Sequence, residues 1–126
     1  MKPQQQILYD ALYRLSDEQG YDTYIDKPMY DVAYPFVYIR NADLRPIELK
    51  RIQYAEFETN IEIFSTSRKE ARDIADNLLS KMQVLKADGF SYRLQLNGTT
   101  VREFQEQVGN HEVIHYLLIE ARFKNI

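Results

Sequence analysis

The residues with the clearest chemical potential lie near the C-terminus, where His111, Glu112 and His115 match the spacing H-E-x-x-H. On a helix, residues four apart share a face, so two histidines can bind one zinc ion while the glutamate acts as a general base. Zinc-dependent hydrolysis therefore requires that this stretch is helical and that a third ligand lies nearby. Because the chain has two histidines and no cysteine, the third ligand would have to be a carboxylate.

The composition of this segment is more typical of a strand. Residues 113–119 are rich in β-branched and aromatic side chains, although their apolar positions also fit a helical stripe. In a strand the two histidines would lie about 13 Å apart, at roughly 3.3 Å per residue, too far to share one metal ion. In a helix, Glu120 is the one carboxylate after the motif, and it follows too closely in sequence. We therefore expect no catalytic residue, no metal site and no cofactor, and keep a zinc metallohydrolase using residues 111–115 as the alternative from another class.

Composition limits the other possibilities. The 126 residues fit one domain spanning 1–126, with 44% hydrophobic and 28% charged residues, as in a globular protein. A net charge of -3 provides no basic field for nucleic acid. No phosphate-binding glycine motif or nucleophile elbow is present, and no apolar run approaches the roughly 20 residues of a membrane span. These features predict a soluble, non-enzymatic protein with a binding or assembly role.

Two helices are predicted. Residues 4–16 place their apolar side chains on one helical stripe, and Gly20 can end that helix. Ser67 and Glu70 have the spacing of a capping box in front of a second apolar stripe. We predict that this second helix continues to the turn at Ala87-Asp88-Gly89.

Six strands are predicted around these helices, at residues 21–26, 35–40, 56–65, 90–96, 99–107 and 112–123. Alternation is clearest in residues 56–65, where Glu58 and Glu62 are expected on a solvent-exposed face. Asn97-Gly98 predicts a hairpin, and the polar segment after it suits an edge strand. The order of elements predicts an α+β fold: a mostly antiparallel sheet with the N-terminal helix and the one long helix packed on one face.

Residues 41–55 lack a clean period and are predicted to form an exposed connection. This segment carries Arg45, Lys50 and Arg51, which suit either a solvated loop or a contact arm for an acidic partner. The chain also has ten tyrosines and no tryptophan, which fits half-buried strand positions or a protein interface.

Taken together, four segments resemble the small tail-completion or tail-terminator proteins of long-tailed phages. They are "QQILYDALYRL", "YPFVYIR", "FETNIEIFSTSRKEARDIADNLLSKM" and "HYLLIEARF". The resemblance spans nearly the whole chain, and its motifs are diffuse. The turn before the last strand, at residues 109–112, departs from the acidic, glycine-containing tip that is often found in the family.

The resemblance implies an α+β protein that forms a hexameric ring at the head-proximal end of the tail tube. Such a ring ends tube polymerisation and offers a surface to the head connector or stopper protein, without catalysis or cofactor. The implied partners are further copies of the chain, the tail-tube protein and the connector. The resemblance also implies no membrane association and no specific nucleic acid binding, with DNA passing through the lumen of the ring.

The implied location is the virion of a phage or prophage, after assembly in the host cytoplasm. A head–tail connector or stopper of the same neck region is the alternative. Our candidate contact residues are Arg45, Lys50 and Arg51 in the connection, and Asn97 and Gly98 at the predicted hairpin tip.

Overall fold

The computed structural model describes residues 4–26, 28, 32–41, 56–108 and 112–125. These residues form two α-helices, seven strands and one 3-10 turn. The helices are α1 (Gln4–Glu18) and α2 (Arg68–Lys81), and the turn is Leu96–Gly98. The strands are β1 (Thr23–Tyr24), β2 (Phe36–Asn41), β3 (Glu56–Ser65), β4 (Val84–Ala87), β5 (Phe90–Leu94), β6 (Thr100–Val108) and β7 (Glu112–Asn125). Neither helix is long and apolar enough to cross a membrane, as far as the described ranges extend.

All seven strands belong to one sheet, in the order β1-β2-β3-β7-β5-β4, with β6 also paired to β7. The β1–β2 pair is parallel and every other pair is antiparallel. Strand β7 is central because β3 lines one of its sides, whereas β5 and then β6 line the other. The predicted α+β class with a mostly antiparallel sheet is confirmed.

One hydrophobic core joins both helices to one face of the sheet. It contains Leu8 of α1, Leu78 of α2 and the alternate residues Ile61 and Ile63 of β3. Burying each such aliphatic side chain contributes roughly 1.5–3 kcal/mol relative to leaving it exposed. The apolar residues of the alternation predicted for 56–65 therefore lie on the face that the helices cover.

The start of α2 follows its predicted cap, with one change. The Ser67 side chain accepts a hydrogen bond from the Glu70 amide at 3.3 Å. The Glu70 carboxylate accepts a 2.7 Å bond from the Ser65 hydroxyl, whose oxygen in turn accepts from the Ser67 amide at 3.0 Å. A serine at the end of β3 therefore connects the strand to the helix cap.

The predicted end of α2 is wrong. The helix ends at Lys81, and the next residues form β4, which pairs with β5 from Val84 to Ala87. Asp88 and Gly89 connect these two strands, both with positive φ (50° and 84°). Two-residue hairpin loops require such backbone angles, so Asp-Gly here marks a hairpin rather than a helix end.

The hairpin predicted at Asn97-Gly98 is also wrong. Strands β5 and β6 run in the same direction along one side of β7, so they do not pair with each other. Leu94 lies opposite Phe123, and Thr100 lies opposite Glu120. The chain therefore advances six residues from Leu94 to Thr100, while β7 advances only three residues between their partners. The three extra residues form the 3-10 turn. The prediction of a polar edge strand after the turn is confirmed.

Candidate assembly surface

The H-E-x-x-H pattern does not lie on a helix. His115 belongs to β7, where it is half-buried opposite Ser65 of β3 and Gln105 of β6. The helical alternative is therefore wrong for residues 112–125, while His111 lies outside the described residues. Among the side chains that the structure describes, no group of three or more His, Cys, Asp or Glu is placed to hold a metal ion.

The three predicted basic contact residues, Arg45, Lys50 and Arg51, lie outside the described residues. Their contact role stays a prediction.

Asn97 and Gly98 lie in the 3-10 turn between β5 and β6, where Asn97 is exposed. A Cβ atom at Gly98 would lie 2.7 Å from Cδ of Arg122, so a larger residue would force that side chain to move. The Arg122 guanidinium reaches Glu58 of β3 at 2.6 Å. Gly98 therefore has a packing role, and a contact role for either residue stays a prediction.

Strand β6 is the most open element of the sheet. Every residue from Thr100 to Gln107 is exposed, including Val101 (46% exposed) and Phe104 (41%). Within the described ranges, β7 is the strand that pairs with β6, so the outer edge of β6 presents unpaired backbone N–H and C=O groups. Such an edge is a template for pairing with another chain. Its sequence predicts an edge strand, but the predicted contact residues lie elsewhere in the sequence.

An aromatic row crosses the sheet on the face opposite the helices and ends at β6. It consists of Phe36, Phe64, Tyr116 and Phe104, which are register neighbours on β2, β3, β7 and β6. Successive rings are stacked, with centroids 4.7, 5.0 and 4.8 Å apart. Each aromatic pair contributes roughly 0.5–1.5 kcal/mol beyond area burial. Phe36 is buried and Phe104 is not, so the end of the row at β2 is shielded from solvent and the end at β6 is exposed.

The aromatic row also explains a difference from prediction. Glu62 was expected on a solvent-exposed face, yet it is 8% exposed, close to Phe64 and Tyr116. Burial raises the pKa of Tyr116, and the negative charge of Glu62 and its hydrogen bond with Tyr116 raise it further. This face is therefore aromatic and partly buried at one end, and polar at the other.

Ion pairs occupy the polar end of the same face. Arg102 of β6 binds Glu120 of β7, and Arg122 of β7 binds Glu58 of β3. The hydrogen bond from Arg102 lowers the pKa of Glu120 despite some desolvation. Since these side chains are half-exposed, each pair contributes about 1 kcal/mol or less. They hold β6 and β3 in register with β7.

On the helix face, a groove separates α2 from β6. Arg68 and Arg72 reach across it to Glu103, at 3.1 Å and 2.6 Å. Ala71 and Leu117 line a cavity of about 210 Å³ in this groove, and Leu117 also lines an adjoining cavity of about 590 Å³. Desolvation alone would raise the pKa of Glu103, but the two arginines outweigh it and lower that pKa. These ion pairs connect the exposed strand β6 to α2.

The sequence matches no protein-family profile and no curated protein. Solved structures do match. A chain in the virion of a native gene transfer agent particle has a TM-score of 0.63 and 18% identity, covering 95% of each chain. A second solved chain, which carries a sequence identifier in place of a descriptive name, has a TM-score of 0.51 and 8% identity, covering 96% of this chain and 92% of its own. At these identities the matches show a shared fold, and that fold extends over nearly the whole of both chains.

Proposed function

We propose that this protein is a structural component of a phage or phage-like virion, and that it completes the tail. In this role it forms a ring, with six copies the expected number, that caps the tail tube and ends its polymerisation. The observation that carries the proposal is the full-length fold similarity to a chain of a gene transfer agent virion. The resemblance of four segments to tail-completion proteins narrows the role to the end of the tail.

The open edge of the sheet gives physical support to an assembly role. A ring requires contacts between different surfaces of neighbouring subunits that close on themselves. Strand β6 offers an exposed edge, an aromatic side chain at its centre and charges on both sides of it. Strand addition to such an edge combines backbone hydrogen bonds with side-chain specificity.

We further propose that the protein performs no catalysis and needs no cofactor. Its partners would be other copies of itself, the tail-tube protein and a head connector or stopper. Its location would be the head-proximal end of the tail, reached after assembly in the host cytoplasm, with DNA passing through the lumen without specific binding.

Tube polymerisation in vitro tests this function directly. Tail-tube protein of the same particle would be polymerised with and without the purified chain, and tube lengths measured by negative-stain electron microscopy. We expect shorter tubes with a ring at one end. Phe104→Glu on the open edge should weaken capping, whereas Arg93→Glu, an exposed residue of β5, should not. Unchanged tube growth together with binding to purified connector would instead assign the protein to the connector or stopper role.

A further inference from the structure

The free edge of β6 is complementary to itself. We propose that a second copy of this chain pairs with it, antiparallel and about a twofold axis at Phe104, and that this dimer is the state of the protein before assembly. The dimer follows from the residues of β6 alone. Its biological purpose, protection of the edge until a tail tube is present, rests on the proposed function.

Charge supports this register. In a twofold pairing centred on residue 104, Arg102 lies opposite Glu106 of the second copy, and the pair occurs twice. Residues opposite each other on antiparallel strands have Cβ atoms about 4.5–5.5 Å apart and point to the same face, so the two charges meet. Glu106 is exposed and has no ion-pair partner among the described residues, whereas Arg102 already binds Glu120 and can bridge both carboxylates.

The aromatic row supports the same register. Phe104 ends the row with its outer side open, and the twofold places Phe104 of the second copy directly opposite it. The ring spacing across an antiparallel pair would match the 4.8 Å between Phe104 and Tyr116. Two rows of four rings would then join into one row of eight across the dimer.

Neighbouring registers lack this complementarity. A twofold centred on Glu103 would place two carboxylates opposite each other, which is destabilising. A twofold centred on Gln105 would place Phe104 opposite Glu106. Only the pairing about Phe104 matches both the charges and the aromatic side chains.

The expected dimer is weak. One additional strand pair lies at the small end of specific interfaces, below about 1,200 Å² in total. A contact of this size dissociates on dilution, which allows the edge to reopen. Such protection would limit uncontrolled edge-to-edge aggregation of the free protein.

Charge exchange tests the inference. Sedimentation velocity over a concentration series would compare wild type with Glu106→Arg, Arg102→Glu and the double exchange. Each single change places like charges opposite each other twice, so we expect the dimer dissociation constant to rise at least about tenfold. The double exchange should restore the dimer. Because it does not restore the Arg102–Glu120 pair within one chain, recovery reports the contact between copies.

Two controls complete the design. Arg93→Glu changes the net charge as Arg102→Glu does, on an exposed position of β5, and should leave the dimer intact. Because the chain has no cysteine, a single introduced thiol reports the register. Phe104→Cys should form a disulfide between copies, and Val101→Cys should not. Circular dichroism confirms that each variant is folded.

A monomeric wild type at every concentration overturns the inference. So does a double exchange that stays monomeric, or a larger assembly that Glu106→Arg leaves unchanged. The result is independent of tube capping: a dimer that responds to charge exchange stands even if the protein fails to cap tubes, and capping without a dimer removes only the inference.

Discussion

Two edges of the sheet, one at β1 and one at β6, are protected to different extents. On the β2 side, the outer strand β1 has two residues, and α1 packs against both β1 and β2. The hydroxyl of Tyr9 lies 2.8 Å from the carbonyl oxygen of Ile39 and 3.1 Å from that of Ile25, and donates its proton between them. Ser16 of α1 also hydrogen-bonds Thr23 of β1 at 2.7 Å. The carbonyl groups of Ile39 and Ile25 on this side are therefore hydrogen-bonded within one chain.

On the other side, β6 has nine residues and no helix beyond it in the described part of the chain. Its attachments are to β7 and, through Glu103, to two exposed arginines of α2. A protein that needed only to fold would be expected to protect such a strand, because exposed edges promote aggregation. One edge therefore contributes to the stability of the monomer, whereas the other is the edge at which we propose a partner.

The sharpest test of this difference compares Tyr9 with Phe104. Tyr9→Ala should reduce the free energy of unfolding by about 3–5 kcal/mol, because it opens a cavity and leaves a buried carbonyl without a donor. Tyr9→Phe isolates the hydroxyl and should cost about 1–2 kcal/mol. Phe104→Ala should cost less than Tyr9→Ala because its ring is 41% exposed. Urea denaturation at low protein concentration measures all three. Equal losses at Tyr9 and Phe104 would contradict the division into a closed and an open edge.

Alkaline pH should weaken the closed, helix-covered core. Burial raises the pKa of Tyr9 and of Tyr92 to about 12, above the ordinary value of 10.0. Between these values the unfolded chain loses protons that the folded chain retains, so the free energy of unfolding falls as pH rises. The stabilisation is complete below pH 10 and is lost by about pH 12. Denaturation midpoints across this range should fall for wild type and fall less steeply for Tyr9→Phe. An identical slope in both proteins would remove Tyr9 as a source of the effect.

The parts of the fold that could be predicted are those in which one local pattern determines the structure. Alternation in residues 56–65 predicts β3, and Ser67 with Glu70 predicts the start of α2, because each signal depends on near neighbours. The prediction that Glu62 is exposed is wrong: the side chain is buried and forms a hydrogen bond with Tyr116, which belongs to another strand. A period-2 pattern does not show which residues of distant strands become neighbours.

Both incorrect turn predictions concern a dipeptide that is typical of hairpin turns. Asp88-Gly89 and Asn97-Gly98 are both typical two-residue hairpin turns, yet only the first connects paired strands. The second lies in the 3-10 turn that connects β5 to β6, because β7 is long enough to pair with both of these strands. Whether this turn forms a hairpin therefore depends on β7, a strand that lies later in the sequence. The sequence likewise predicts β6 as an edge strand, but the predicted contact residues lie elsewhere in the sequence.

Gly98→Ala tests whether packing against Arg122 stabilises the 3-10 turn. The added Cβ would meet Cδ of Arg122 at 2.7 Å, so the arginine must shift away from its 2.6 Å contact with Glu58. We expect a loss of about 1 kcal/mol in the free energy of unfolding, close to the contribution of a half-exposed ion pair. Asn97→Ala, on the exposed neighbour, is the matched control and should be neutral. A neutral Gly98→Ala would mean that this glycine is not required for packing.

The smallest expected effect concerns the attachment of β6 itself. Glu103→Gln removes the charge that Arg68 and Arg72 share, so β6 should separate from the groove beside α2 more often. Hydrogen exchange at a dilution that keeps the chain monomeric should show faster exchange in β6, with β2 and β3 unchanged. Glu106→Gln makes the same substitution on the same strand, at a residue with no ion-pair partner in the described part of the chain, and should leave exchange as in wild type. Faster exchange throughout the sheet would mean that β6 is part of the cooperative core rather than a separately attached edge. Faster exchange in β6 alone would show that this edge opens locally, independently of the rest of the sheet. Low local stability suits a strand whose outer edge is proposed to pair with a partner.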